Sequence, residues 1–549
     1  MAKKTLGRRK FLALSATVGA SALAACSAPA APAAVEAPAV VPATDVPAPA
    51  APEPTAVIEV ATVAPVASGK PKGGTLRIGM EGGSTTDSLD PRTYSDSVMI
   101  AASLAVMNGL VEFDAAGNPT GELLESWEAK AGAAEWIFNV RQGITFSNGK
   151  TLDADDIIYS IGIHRGETKS PAKGILEPIT EIKKLSDSQI SIKLSGGNVD
   201  LPVLLGDYHL VVVPKDFTDW EKPIGTGAFT LESHEPGVRL VFKNRGGGYW
   251  KKDRGNFDMV EIRCVQDTAA RTAALQSGEV DAVNRLDART VGALMKDPNL
   301  NIVRTKGTGN RYCFVARVTE APYDNKDLRL ALNWGINREQ IIKQVFDGFA
   351  VPGNDHTLDA FNPYYNTKMA QRVYDPDKAA FHFKKSGITS ALELQASEGA
   401  WGSAVDCAQI YSESLVKAGI TMGVNKVSAD GYWDNVWLKV PFCAVYWGRR
   451  LSADQVFRQV YGSASDWNDS NWKVPAFDDL VTKAAVELDN AKRTEMYYTC
   501  QEMIAEDGGM ICFAISDDLD GYSKKVMGAE PHARYDLSDD RIAEKGWFA

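Results

Sequence analysis

Residues 109–161 read GLVEFDAAGNPTGELLESWEAKAGAAEWIFNVRQGITFSNGKTLDADDIIYSI, and their rhythm decides the fold class. Residues 110–113 predict a short strand that runs into the turn DAAGN at 114–118. AEWIFNVR alternates apolar and polar residues, as a half-buried strand does, and SNGK at 147–150 supplies the next turn. LDADDIIYSI then opens with acids, which suit a helix N-terminus, and continues into apolar residues at helical spacing.

The same alternation extends in both directions. Upstream, GGTLRIGM (73–80) predicts a strand with Leu76, Ile78 and Met80 on one face, and a helix is expected over 98–108. Downstream, EIRCV (261–265), TAARTAALQSG (268–278) and VDAVNRL (280–286) read as strand, helix and strand. In NKDLRLALNWGINREQIIKQVFDG (325–348) apolar residues repeat at helical spacing around a polar break. Asn337 is expected to cap the second half there, with Gln340 completing a capping box. Strands that alternate with helices argue for an α/β architecture with mixed sheets, and residues 73–549 suffice for two or three domains.

GLVEFDAAGNPTGELLESWE (109–128) and WIFNVRQGITFSNGKTLDADDIIYSI (136–161) resemble family 5 of the bacterial extracellular solute-binding proteins. GGTLRIGM, SLDP (88–91), PIGTGAFTLES (223–233, with Ala228 where proline is common) and the 325–348 helix fit that family in the right order. The resemblance implies a two-lobe periplasmic-binding-protein fold, type II and cluster C-like, that serves an ABC importer. By analogy, the first lobe takes 73–310 with an inserted subdomain at about 110–220, and the second takes 311–509. The chain then returns to the first lobe over 510–549, and RYCFVAR (311–317) and MICFAIS (510–516) are the expected crossings. Gly225 and Gly227 are expected to form a tight turn at a domain crossing.

Residues 1–25 read as a twin-arginine signal, with Arg8-Arg9 before a short apolar run below the roughly 20 residues that span a bilayer. Leu23-Ala24-Ala25-Cys26 resembles a lipobox, which makes Cys26 the expected lipidated residue. Residues 26–72, rich in Ala and Pro, read as a tether reaching on the order of 35–40 Å. Membrane attachment by the lipid alone is expected, on the outer face of the cytoplasmic membrane. Loss of five basic residues with the signal moves the formal charge from −11 to about −16, which argues against a nucleic-acid partner. Six cysteines remain, with no CxxC spacing, and are expected to be core residues, with one pair open to bridging.

No HExxH, GxSxG or spaced Cys/His cluster occurs, so no enzyme activity, cofactor or metal is expected. The richest binding stretch is YWGRRLSADQVFRQVYGSASDWNDSNW (446–472). There Trp447, Trp467 and Trp472 offer apolar walls, and Arg449, Arg450 and Asp454 offer charges of both signs. The resemblance implies that Asp454, following a Trp-Gly segment, holds a peptide α-ammonium. Gln455 stands where the family often has proline, and Arg449-Arg450 stand where relatives carry an acid or an aromatic. Those departures favour a ligand with a carboxylate or many hydroxyls. Adjacent strand residues face opposite sides, so one of the two arginines is expected in the site. Tyr208 and His209 in GDYHLVVVP, Trp401 in SEGAWG and Tyr94 after SLDP are further ligand candidates, whereas Trp433 and Trp437 read as one buried helix face. The expected protein is a monomeric receptor that passes a peptide to ABC permease subunits. Opine-like or sugar-derived solutes, a nickel chelate, a surface hydrolase and a sensor are the alternatives.

Overall fold

The computed structural model describes residues 70–246, 248–450 and 452–549. The signal, Cys26 and nearly all of the tether lie outside the described residues.

Thr75–Met80 buries Leu76, Ile78 and Met80 on one face, as its alternation requires, and sits inside a seven-stranded sheet. That sheet runs Leu300–Thr305, Asp518–Ser523, Ala282–Val283, Thr75–Met80, Met259–Cys264, Arg239–Asn244 and Phe229–Glu235. Thr75–Met80 pairs in parallel with Met259–Cys264, whereas Asp518–Ser523 pairs antiparallel with Leu300–Thr305. Helix Ser97–Val106 packs against this sheet, and the Asp96 side chain caps it by accepting from Met99 N.

A four-stranded sheet of Leu124–Ala129, Glu135–Val140, Gln189–Leu194 and Ile179–Ser186 carries a separate core around Phe138, Ile157 and Ile192. Helix Ala154–Gly162 covers it, and the acids read as a start signal form a true capping box between Asp153 and Asp156. The chain returns from this subdomain through Gly225 and Gly227, whose role is close approach rather than a turn. A Cβ on Gly225 would meet Val106 O at 2.2 Å, and one on Gly227 would meet Val106 C at 2.4 Å. The junction is locked by buried charge: Arg541 donates to both carboxylate oxygens of Glu122 at 2.9 Å, and Lys251 Nζ reaches Glu122 at 2.6 Å and Glu544 at 3.0 Å.

The second large sheet runs Ala350–Pro352, Met510–Ser516, Arg311–Ala316, Phe442–Trp447, Leu392–Ala396 and Met422–Lys426. Helices Lys326–Gly335 and Arg338–Val345 flank it, and Asn337 caps the second by accepting from Gln340 N as expected. The capping box is not completed, because Gln340 Oε1 accepts from Asn337 Nδ2 and not from the cap's backbone. Two expectations need correction. Arg311–Ala316 and Met510–Ser516 are not crossings but adjacent antiparallel strands of this sheet, because their unbroken apolar character suits burial on both faces. The chain therefore re-enters the seven-stranded sheet at Asp517 and Asp518, not at Met510. VDAVNRL contributes only Ala282–Val283 as strand. All six described cysteines are free thiols, and Cys313 lies directly opposite Cys512 in register.

Candidate ligand cleft

Among the described residues only two chain segments join the two large sheets directly. One is 306–310, between Leu300–Thr305 and Arg311–Ala316, and the other is Asp517. Asp517 ties them together: its carboxylate accepts from Gly307 N at 2.8 Å and from Arg304 Nε. Gly309 lets the segments touch, since a Cβ there would meet Ser516 Oγ at 2.3 Å. This is the geometry of a hinge, in which short loop segments absorb the rotation of two packed bodies.

Beside the hinge lies a cleft of about 220 Å³ with walls from both sheets. The seven-stranded side and its subdomain contribute Phe113, Tyr208, Arg534 and Tyr535; the six-stranded side contributes Phe361, Arg449, Arg450 and Gln455. Both arginines enter. Strand Phe442–Trp447 ends before them, so the strict alternation expected of a strand no longer applies at Arg449 and Arg450. Arg449 donates through Nη2 to the hinge carbonyl of Thr308 and to Asp518 Oδ2 at 3.1 Å. Arg450 donates to Gln459 Oε1 and to the carbonyls of Gly448 and Arg449, with its guanidinium 5.5 Å from the Trp447 ring. Burial, reinforced by the charge of Arg311, pushes the Arg450 guanidinium below its ordinary pKa.

Tyr208 stands in the cleft, but His209 and Tyr94 stand behind it. His209 is buried, with Nδ1 at 2.6 Å from Asp207 and Nε2 at 3.1 Å from the Tyr94 carbonyl. The Tyr94 hydroxyl donates to Leu89 O inside the core. Both are corrections: they hold the loop that presents Tyr208, whose ring lies 4.0 Å from that of His209 and is tilted 30° to it. Trp401 likewise packs inward, among Tyr312, Phe314 and Phe513, because the small residues around it open onto the sheet's own aromatic layer. Trp447 is buried, and its Nε1 donates to Asp469 Oδ2 at 3.1 Å. Burial pushes the Asp469 carboxyl up to about 7. Trp467 is 45% exposed and packs against Trp437 and Trp447 without lining the cleft. Trp433 and Trp437 do contact each other, but Trp433 is 38% exposed, because helix Tyr432–Asn435 ends before Trp437.

Asp454 faces elsewhere. It lines a second gap of about 820 Å³ between the subdomain and the six-stranded lobe, and Arg458 Nε donates to both of its oxygens, at 3.0 and 2.8 Å. Burial raises its pKa, and Arg458 opposes that shift. Next to this gap, Asp200 of the subdomain pairs with Arg493 of helix Asn490–Asp507, and Val199 N donates to Ala485 O at 2.9 Å. This cross-lobe contact, like Arg534 and Tyr535, escaped the reading of the sequence. Arg534 and Tyr535 precede a turn in which Leu537, Ser538, Asp539 and Asp540 all have positive φ, between 50° and 71°. Each such residue costs about 1–2 kcal/mol, so the turn persists only because its surroundings fix it. Asp520 does part of this, accepting from Leu537 N at 2.6 Å. The cluster RYD at 534–536 was the one available signal.

Among the described residues no helix is long and apolar enough to cross a membrane, and no group of His, Cys, Asp and Glu could hold a metal ion. The model of the family described as bacterial extracellular solute-binding proteins, family 5 middle, matches residues 118–469. The dipeptide-binding protein of Escherichia coli strain K12 is 23% identical over 496 residues, covering 80% of this chain and 90% of its own. Among solved structures, HbpA2 from Haemophilus parasuis superposes with a TM-score of 0.76 at 20% identity, covering 87% of this chain and all of its own. The periplasmic binding protein DppA from Helicobacter pylori, in complex with peptide STSA, gives 0.67 at 21% identity, over 87% of this chain and 98% of its own. The fold is that of a type II periplasmic binding protein. This chain belongs to family 5 of the bacterial extracellular solute-binding proteins.

Proposed function

We propose that this protein is the substrate-binding receptor of an ABC importer, capturing a small solute, in the first instance a peptide, and handing it to membrane permease subunits. The observation that carries the reading is a polar and aromatic cleft between two sheets joined by two short segments, in a chain of this family. Ligand contacts made to both walls at once favour the closed arrangement over the open one, so binding shifts an open–closed equilibrium without a covalent step. Arg449 couples cleft to hinge, because the guanidinium that faces the ligand also holds Thr308 O. Tyr208 and Tyr535 supply flat walls, and Arg449, Arg450 and Arg534 supply the charge.

The receptor acts as a monomer, exported by the twin-arginine signal and held by acyl chains on Cys26. The Ala/Pro-rich tether keeps the closed form at high local concentration near its permease. Binding proteins for dipeptides among the relatives support the peptide reading. Native mass spectrometry of the gently purified protein tests it. A co-purifying peptide or related zwitterion, lost in Arg449→Ala, supports the proposal. Conversion of an added solute into product points to a hydrolase instead.

A further inference from the structure

The charges around the cleft do not cancel. The two carboxylates that line it already have partners, Asp207 holding His209 and Asp359 holding Arg311, and nearby Asp454 holds Arg458 while Asp518 holds Arg449. The guanidiniums are less well served. Arg450 has no carboxylate at ion-pair distance among the described residues, and its bonds go to an amide side chain and two backbone carbonyls. Arg449 leaves Nε and Nη1 without hydrogen-bond partners although both are buried. On the opposite wall, Arg534 stacks 3.8 Å from the Phe113 ring centre and donates to Gly206 O. Its nearest carboxylate is Asp539 at 3.8 Å, and Nε has no hydrogen bond. A guanidinium withdrawn from water with N–H groups left unpaired is unfavourable, and an entering anion that takes those N–H groups reverses that.

Two such centres face one small space from different lobes. Arg449 and Arg450 follow strand Phe442–Trp447 of the six-stranded sheet, and Arg534 comes from the C-terminal return to the other lobe. A single carboxylate satisfies one bank. A solute with carboxylates at both ends satisfies both and draws the lobes together. Asp454, meanwhile, lines the other gap with both oxygens on Arg458, so an α-ammonium gains no free acid from it. A cleft of about 220 Å³ fits a solute near dipeptide size.

Building on the receptor reading, we infer that this cleft selects small solutes carrying two carboxylates, one held by Arg449 and Arg450 and the other by Arg534, with no requirement for a free α-ammonium.

Calorimetry on the full-length protein tests this with Ala-Ala, Lys-Lys, Glu-Glu, N-acetyl-Asp-Glu and glutarate as probes. The acidic probes bind at least about 30-fold tighter than Ala-Ala, and N-acetylation costs less than about threefold. Their affinity falls steeply as salt rises from 50 to 500 mM, roughly. Arg534→Gln loses at least about tenfold on Glu-Glu, with Arg534→Lys recovering part of it. The salt series on the unaltered protein stands in if the Gln variant fails to fold. Equal affinity for Ala-Ala or Lys-Lys, or loss of binding on N-acetylation, overturns the inference and leaves the receptor reading intact. Absence of binding by every probe, together with no co-purified solute, overturns both.

Discussion

The ion pair between Asp200 and Arg493 spans the two lobes, and neither residue belongs to the hinge segments or lines the arginine cleft, so it reports on closure without touching the solute. Both side chains are nearly inaccessible, and Arg493 Nη1 also donates to the Tyr364 hydroxyl at 2.8 Å. Replacing Asp200 by Ala leaves that guanidinium buried without its counter-charge whenever the lobes are together. Removing one partner of a buried pair costs about 3–5 kcal/mol. Tyr364 and the Tyr497 ring retain part of the contact, which favours the lower end of that range. In the open arrangement Arg493 is hydrated, so the cost falls on the closed state. A shift of about 3 kcal/mol changes the closed-to-open ratio about a hundredfold. Titration calorimetry on Asp200→Ala is therefore expected to show a 30- to 100-fold loss, roughly, in affinity for the captured solute, with little change in melting temperature. Arg493→Met is expected to be non-additive with it, coupled by more than about 1 kcal/mol. Affinity within about threefold of the unaltered protein would refute the reasoning. So would a drop in melting temperature that accounts for the whole loss.

Two further perturbations probe the scaffold. Asp469 holds a proton in the folded protein that the unfolded chain has lost between about pH 4 and 7, because burial lifts its carboxyl to about 7. Its stabilisation is full below the unfolded value and fades as pH rises through the folded one. Asp469→Asn keeps an acceptor for Trp447 Nε1, so thermal melts are expected to show it more stable than the parent at pH 8, by at most about 4 kcal/mol, and similar near pH 4. An equal difference at both pH values would count against this. Glu122→Gln removes the bidentate partner of Arg541 at the subdomain junction and is expected to destabilise by about 3 kcal/mol. Denaturant unfolding measures that, and a loss below about 0.5 kcal/mol would show the network is not what holds the junction.

How legible the molecule was depended on the range of the interactions concerned. Local signals read well: the Asp153 and Asn337 caps, the alternation of Thr75–Met80 and the turns around 114–118 depend on neighbours within a few residues. The crossings were misplaced because a strand buried on both faces and an apolar hinge strand look alike in one dimension. Only the pairing of Met510–Ser516 with Arg311–Ala316 separates them. The lining of the cleft was half visible. Arg449, Arg450 and Tyr208 do reach the cleft, but Arg534 and Tyr535 reach it from a segment about 80 residues further along the chain. Tyr94, His209 and Trp401 show how an aromatic near a cleft becomes its backing: each finds a partner inside the core, at Leu89 O, at Asp207 or among Tyr312 and Phe513. Asp454 illustrates a different limit. Its position after the Trp-Gly segment was clear, but its engagement by Arg458 one helical turn later depends on side-chain geometry.

Solute binding is expected to close two lobes about the hinge at 306–310 and Asp517. Small-angle X-ray scattering of the protein, alone and with a solute that calorimetry shows to bind, tests it most directly. The bound state is expected to have a smaller radius of gyration, with a return to the larger value when Asp200→Ala is measured at the same subsaturating solute concentration. An unchanged scattering curve at saturation would contradict it.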